Sequence, residues 1–324
     1  MKKKGGYAAF LHIRKDTCMA DKRMISGLST EQRNPATMDI DNHSAAEIVK
    51  ILNDGDHTVA DAVADALPDI ARAAEAAAES ISSGGRLIYI GAGTSGRLGV
   101  IDAVECRPTY GIPDGIVLGI IAGGMDAMFR AAEGQEDRPE LGEDDLRKAN
   151  VTAKDTVIGI ASSGRTPYVF GALDYAKSVG CTTASLANVK NAVISAHADI
   201  PIEAVTGPEA VTGSTRMKAG SAQKMILNMI STTTFILLGK VYGNLMIDVQ
   251  PTNEKLVIRA ERIIREAVGC GEEEAAVLLQ NSGKRVKHAV VMGLLGVSAD
   301  EADRLLKENS GRIREVLKSH EHHL

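Results

Sequence analysis

Arg86-Leu-Ile-Tyr-Ile-Gly-Ala-Gly-Thr-Ser-Gly-Arg-Leu-Gly-Val-Ile-Asp-Ala-Val-Glu-Cys-Arg-Pro108 decides the fold of this chain. The apolar run Leu87 to Ile90 reads as a buried strand, Gly91 to Gly96 as a turn of glycines and hydroxyls, and Arg97 to Cys106 as a helix that Pro108 stops. Strand, glycine turn and helix in that order make a cradle for an anion. Glycines let the backbone approach it, the helix start offers unpaired N–H groups and positive potential, and Thr94 and Ser95 add hydroxyl donors. Glu105, on the last turn of the expected helix, sets a carboxyl at the far end of the same element, where the helix dipole favours the protonated form.

Outward from this unit, short apolar runs alternate with helical patterns. Leu87 to Ile90, Gly115 to Ile121, Thr156 to Ile160, Thr182 to Leu186 and Ile200 to Ile202 read as strands, with helices near 97–106, 125–150, 167–179 and 191–197 between them. The alternation predicts an α/β fold, a doubly wound parallel sheet of about five strands flanked by helices, with ligands gathered beyond the carboxyl ends of the strands. Upstream, Ser44 opens a helix to about Leu52, a second spans Asp56 to Ala66, and Pro68 sits in the first turn of an alanine-rich helix to about Ile81. Downstream, Ser214 to Lys240 reads as one long apolar helix and Pro251 to Ala267 as another. Beyond Gly269-Cys-Gly271 come short helices at 272–280, 284–292, 298–309 and 311–318, with Ser298 and Glu301 as a capping box. The expected units are residues 1–27, a disordered extension or a start-site artefact with Met19 and Met24 as alternative internal starts; residues 28–268, the α/β domain; and residues 269–324, a small helical domain.

Of 324 residues, 44% are hydrophobic and 24% charged, which describes a globular chain able to bury a sizeable core. A formal charge of -5 without a basic block gives nucleic acid and anionic membranes no electrostatic hold, so an anionic ligand has to be captured locally. Cys18, Cys106, Cys181 and Cys270 lie too far apart for a zinc motif or a disulfide framework, and a reducing cytoplasm fits them. Met1 to Lys15 imitates the charged start of a signal peptide, but His12 and Arg14 interrupt its short apolar stretch. No later run approaches the roughly 20 residues of a membrane helix.

Gly91-Ala-Gly-Thr-Ser-Gly96 satisfies G-x-G-x-x-G after a strand, the pattern of a dinucleotide site. Such a site wants an acid at the end of the second strand to hold the ribose, and that strand ends in Ile120-Ile-Ala-Gly-Gly124 with no acid before Asp126. A second loop of the same chemical kind, Ala161-Ser-Ser-Gly-Arg-Thr-Pro167, also follows a strand and precedes a helix. Ser162, Ser163, the Gly164 backbone, Arg165 and Thr166 can surround a phosphate ester there. A third hydroxyl-rich stretch, Thr206 to Gly220, brings Ser214, Thr215 and Lys218 to the start of the long helix, for capping or for ligand. Together the loops point to a phosphorylated small molecule. Glu105 and Glu136 supply the carboxylates an acid–base reaction needs.

These residues together resemble the N-acetylmuramic acid 6-phosphate etherases of the sugar isomerase (SIS) domain superfamily. The resemblance rests on Ile88 to Gly99, Asp102-Ala-Val-Glu-Cys106, Ser163-Gly-Arg-Thr-Pro-Tyr168, Thr212-Gly-Ser-Thr-Arg-Met-Lys-Ala-Gly220 and Gly239 to Asp248, and extends from about Leu28 to the C-terminus. It implies a cytoplasmic, cofactor-free and metal-free homodimer, a carbon–oxygen lyase of amino sugar catabolism and peptidoglycan recycling. Its reaction would release D-lactate from N-acetylmuramic acid 6-phosphate and leave N-acetylglucosamine 6-phosphate. Glu105 matches the family's acid, Glu136 its second active-site carboxylate, and Ser162, Ser163 and Thr166 stand in its phosphate position. The chain departs from the pattern at Val104, where serine is common, at Ser162, where alanine is common, at Gly123-Gly-Met125, and at Ala187-Asn-Val-Lys-Asn191, which replaces a cysteine-asparagine-proline-glycine-serine loop.

Two other readings use the same fold. One is a sugar-phosphate sensor without catalysis, in the manner of the vertebrate glucokinase regulator; the other is an aldose–ketose isomerase, which deprotonates C2 but expels nothing. Retention of both Glu105 and Glu136 favours the etherase, since a sensor needs no paired acid and base.

Overall fold

The computed structural model describes residues 29–130 and 134–321, so the expected extension at 1–27 lies outside the described residues. Three helices lead in: α1 (Ala45–Asp56), α2 (Val59–Ala64) and α3 (Leu67–Ser82). The sheet unit follows as β1 (Leu87–Gly91), α4 (Gly93–Tyr110), β2 (Val117–Ile121), α5 (Asp126–Phe129), α6 (Pro139–Lys148), β3 (Thr156–Ile160), α7 (Pro167–Val179), β4 (Thr182–Ala187) and β5 (Ile200–Glu203). Five parallel strands lie in the order β2-β1-β3-β4-β5. This is the expected doubly wound sheet. Its strand order reverses between β1 and β3, which sets the ligand crevice beyond Gly91 and Ile160.

Period-two alternation builds a core on each face. Leu87 and Tyr89 of β1 join Ile158, Ile160, Leu186 and Ile202 under α3, α4 and the long helix α8 (Lys218–Leu237). Ile88 and Ile90 point the other way, to Leu146 of α6 and to Tyr168, Val169, Ala172 and Leu173 of α7. All residues of β1 and β3 are buried, as strands covered on both faces must be. The alanine stripe Ala73, Ala74, Ala77 and Ala78 lets α3 lie close on the sheet. A third core gathers Ile247, Val249, Ala260 and Ile264 with Ala275, Val290, Leu306 and Val316, residues from both sides of Gly269. It is built from the hairpin β6 (Val241–Tyr242) and β7 (Leu245–Met246), then α9 (Glu254–Val268), α10 (Glu272–Asn281), α11 (Val286–Leu295), α12 (Ala299–Glu308) and α13 (Ile313–Glu321).

Several element boundaries differ from expectation for identifiable reasons. Pro108 does not stop α4, which continues to Tyr110. A proline this late removes one hydrogen bond of the closing turn, while the Tyr110 ring stacks on Phe235 at 4.5 Å and Gly111, at φ 60°, returns its N–H to the Arg107 carbonyl. The helix expected over 125–150 is broken into α5 and α6. Pro139 restarts the helix at its first turn and drives Arg138 to extended backbone. The long helix starts at Lys218 instead of Ser214. The helix expected over 191–197 is a 3-10 turn at Val193–His197. Ser298 caps α12 through the Glu301 N–H, but Glu301 turns its carboxylate to Arg304 and leaves the box half made. The complete capping box is at Ser44 and Glu47.

Candidate active site

Both hydroxyl-rich loops, after β1 and after β3, sit where the strand order reverses. At the first, Gly91 and Gly96 face each other so closely that a Cβ on Gly96 would lie 2.5 Å from the Gly91 carbonyl oxygen. Those two glycines therefore serve helix-on-strand packing. No side chain caps α4, whose first turn carries Thr94, half exposed, and Ser95, buried. Its opening N–H groups are free to meet an anion. At the second loop Gly164 has φ +67°, and a side chain there would strike Ala192. Ser163, Arg165 and Thr166 stay half exposed, and Thr166 forms no cap on α7. Ser162 lies deeper. Its hydroxyl accepts a 2.8 Å hydrogen bond from Gln223 Nε2, which also donates to Asn188 Oδ1 at 3.0 Å.

The third loop has an organiser that reading by residue type missed. Glu209, fully buried, accepts the backbone N–H of Lys218 at 3.0 Å and that of Ala219 at 2.9 Å, so a carboxylate already occupies the start of α8. Lys218 Nζ donates to the Thr206 carbonyl at 2.8 Å. Ser214 and Thr215 are therefore not the caps of α8, and remain half exposed in the loop before it. The segment ahead of α1 braces this loop: Thr37 Oγ1 donates to the Ala210 carbonyl at 2.9 Å. A glutamate nine residues ahead of a helix start carries no local signature in the sequence.

The two carboxylates are held separately. Glu136 is exposed between α5 and α6, and its carbonyl accepts the Tyr168 N–H at 3.0 Å, which fastens it beside the second loop. Arg97 steadies the preceding segment by donating to the carbonyls of Ala127 at 2.7 Å, Met128 at 3.1 Å and Arg130 at 3.1 Å. Glu105 is exposed on α4 but not in its last turn, because the helix runs on to Tyr110; the helix-end argument for its protonation falls away. About 16 Å of helix rise separates it from Thr94. Neither glutamate forms an ion pair among the described residues.

Beneath Glu105, Asp102 pins α4 to α8. Its Oδ1 accepts from Asn228 Nδ2 at 2.6 Å and Ser231 Oγ at 3.1 Å, and burial raises its carboxyl above the ordinary aspartate range. Burial also pushes the neighbouring Cys106 thiol up to about 12 and that of Cys181 up to about 11, so both are packing groups and poor nucleophiles. In the loop that departs from the family pattern, Asn188 is buried. Glu203 accepts the N–H groups of Asn191 and Ala192, each at 2.9 Å, and the Ser195 hydroxyl at 2.6 Å.

The sequence is similar to those of known proteins over most of its length. A profile of the SIS domain matches residues 138–233, and one of the glucokinase regulatory protein N-terminal SIS domain matches residues 69–177. An N-acetylmuramic acid 6-phosphate etherase from an Exiguobacterium species is 54% identical over 294 residues, 91% of this chain and 100% of the relative. One from Brucella anthropi is 50% identical over 302 residues, 92% of this chain and 98% of the relative. Among solved structures, a phosphoheptose isomerase from Neisseria gonorrhoeae aligns with a TM-score of 0.46 at 15% identity, covering 59% of this chain and 98% of that one.

Proposed function

Because the chain belongs to the N-acetylmuramic acid 6-phosphate etherase family, we propose that it cleaves the D-lactyl ether of N-acetylmuramic acid 6-phosphate by elimination and rehydration. The observation that carries the reading is the pairing of an uncapped, hydroxyl-bearing cradle at the sheet's reversal point with two carboxylates free of ion pairs. The Ser163 to Thr166 loop and the start of α4 hold the sugar phosphate. In the open-chain sugar the C1 aldehyde acidifies C2. A base takes the C2 proton, the electron pair forms the C2–C3 double bond, and the C3–O bond breaks with its electrons on the lactate oxygen. An acid protonates that oxygen. Water then adds at C3, a proton returns to C2, and N-acetylglucosamine 6-phosphate and D-lactate result. Glu105 is assigned as the acid and Glu136 as the base and water activator. No step calls on a cofactor.

The position of Glu105 bears on assembly. A site built only from one copy would have to bridge the 16 Å or so between its ligand loop and Glu105. Glu105 instead stands beside Ile101, 51% exposed, and Val104, 63% exposed, with Met125 at 73% just ahead of the neighbouring α5 and Phe129 at 85% on it. An acid set in exposed apolar surface suits a homodimer in which each copy lends Glu105 to its partner's loops. Among the described residues no helix is long and apolar enough to cross a membrane. A phosphorylated sugar is retained by membranes, so the reaction belongs in the cytoplasm.

Incubation with N-acetylmuramic acid 6-phosphate should release D-lactate in proportion to sugar consumed. Binding of phosphosugar with no lactate at high protein concentration would support the sensor instead, and a ketose product would support the isomerase.

A further inference from the structure

Between the first two turns of α4 and of α8 lies a hollow of about 350 Å³ lined by Thr94, Leu98, Arg216, Ser221, Lys224 and Met225. Arg216 and Lys224 are exposed, and neither lies within ion-pair distance of a carboxylate among the described residues. Lys218, between them in sequence, is by contrast committed to the Thr206 carbonyl. The charge of Lys224 acts on Asp102, but that carboxyl is buried and already engaged by Asn228 and Ser231. The hollow thus presents two cations and two hydroxyls against the apolar edges of Leu98 and Met225. Thr94 connects it to the phosphate cradle, since a Cβ on Gly220 would lie 3.6 Å from the Thr94 methyl.

Resting on the etherase reading, we infer that Arg216 and Lys224 bind the carboxylate of the lactyl group, with Leu98 and Met225 against its methyl. The substrate carries two anions, the C6 phosphate and this carboxylate, whereas the sugar product keeps only the phosphate. A second cationic pocket beside the cradle therefore recognises what distinguishes substrate from product. It also holds the leaving group as the C3–O bond breaks and lets the sugar depart once lactate is gone. The phosphate stays with the hydroxyl loops, where Arg165 is the nearby cation.

The test compares two ligands on the full chain. Lys224→Met and Arg216→Met should each raise KM for N-acetylmuramic acid 6-phosphate about 10- to 100-fold, the loss of a charge-assisted hydrogen bond. Competitive inhibition by N-acetylglucosamine 6-phosphate, which lacks the carboxylate, should be unchanged and doubles as the check on folding. Lys224→Arg should recover most of the loss. Equal weakening of both ligands would overturn the assignment in favour of a phosphate site, and no change in either would remove the pocket from recognition. Failure of the etherase reading shows separately, as absence of lactate from the unaltered protein.

Discussion

Glu105 and Asp102 occupy adjacent turns of one helix yet live in opposite environments. Glu105 is exposed and free of ion pairs among the described residues, which suits the acid role proposed for it. Glu105→Gln keeps the shape and removes the proton. C2 hydrogen exchange with deuterated water, followed by NMR, should survive while lactate release falls about 10²- to 10⁴-fold; loss of both together would sink the division of labour with Glu136. Asp102 is 4% exposed and acts on packing. Since burial raises its folded-state pKa above the unfolded value, its protonated form favours the fold. That stability is fully present below the unfolded pKa and is lost as pH rises through the folded one. Asp102→Asn keeps the acceptor for Asn228 and Ser231. The Tm difference in favour of the variant should therefore widen from acid pH toward neutrality and then level off. A difference independent of pH would show that the carboxyl does not titrate with folding.

At the scale of elements, the helix starts around the site differ in what already fills them. Those of α4 and α7 have no side-chain cap, and that of α8 is filled by Glu209. Glu209→Ala would strand two N–H groups and loosen the loop that carries Arg216. It should lower stability by about 1–3 kcal/mol in denaturant melts, and a wild-type melt would show that water replaces the carboxylate without loss. The strands and the turns after β1 and β3 were legible in the sequence because apolar runs, glycines and hydroxyls mark them locally. Glu209 and the extension of α4 past Pro108 were not, because each depends on a partner distant in sequence. For Glu209 the partner is the backbone of Lys218 and Ala219; for Pro108 it is Phe235 under Tyr110. Ser162 was legible as a hydroxyl in the turn after β3, while its bond to Gln223 was not.

For the whole molecule, the sheet order brings the loops after β1 and β3 together, and the length of α4 carries Glu105 away from them. Glu105→Gln protomers co-assembled with protomers impaired by Thr166→Val should regain about one quarter of the wild-type rate if Glu105 acts across a twofold interface, because half of the dimers then hold one intact site. No recovery would mean that acid and loop serve within one copy. The central claim, cleavage by elimination through C2, is tested most directly by turnover of N-acetylmuramic acid 6-phosphate in deuterated water with both products analysed. The account predicts D-lactate and N-acetylglucosamine 6-phosphate in equal amounts, with deuterium at C2 of the sugar. Lactate released with the original C2 hydrogen fully retained, or phosphosugar bound without any lactate released, would contradict it.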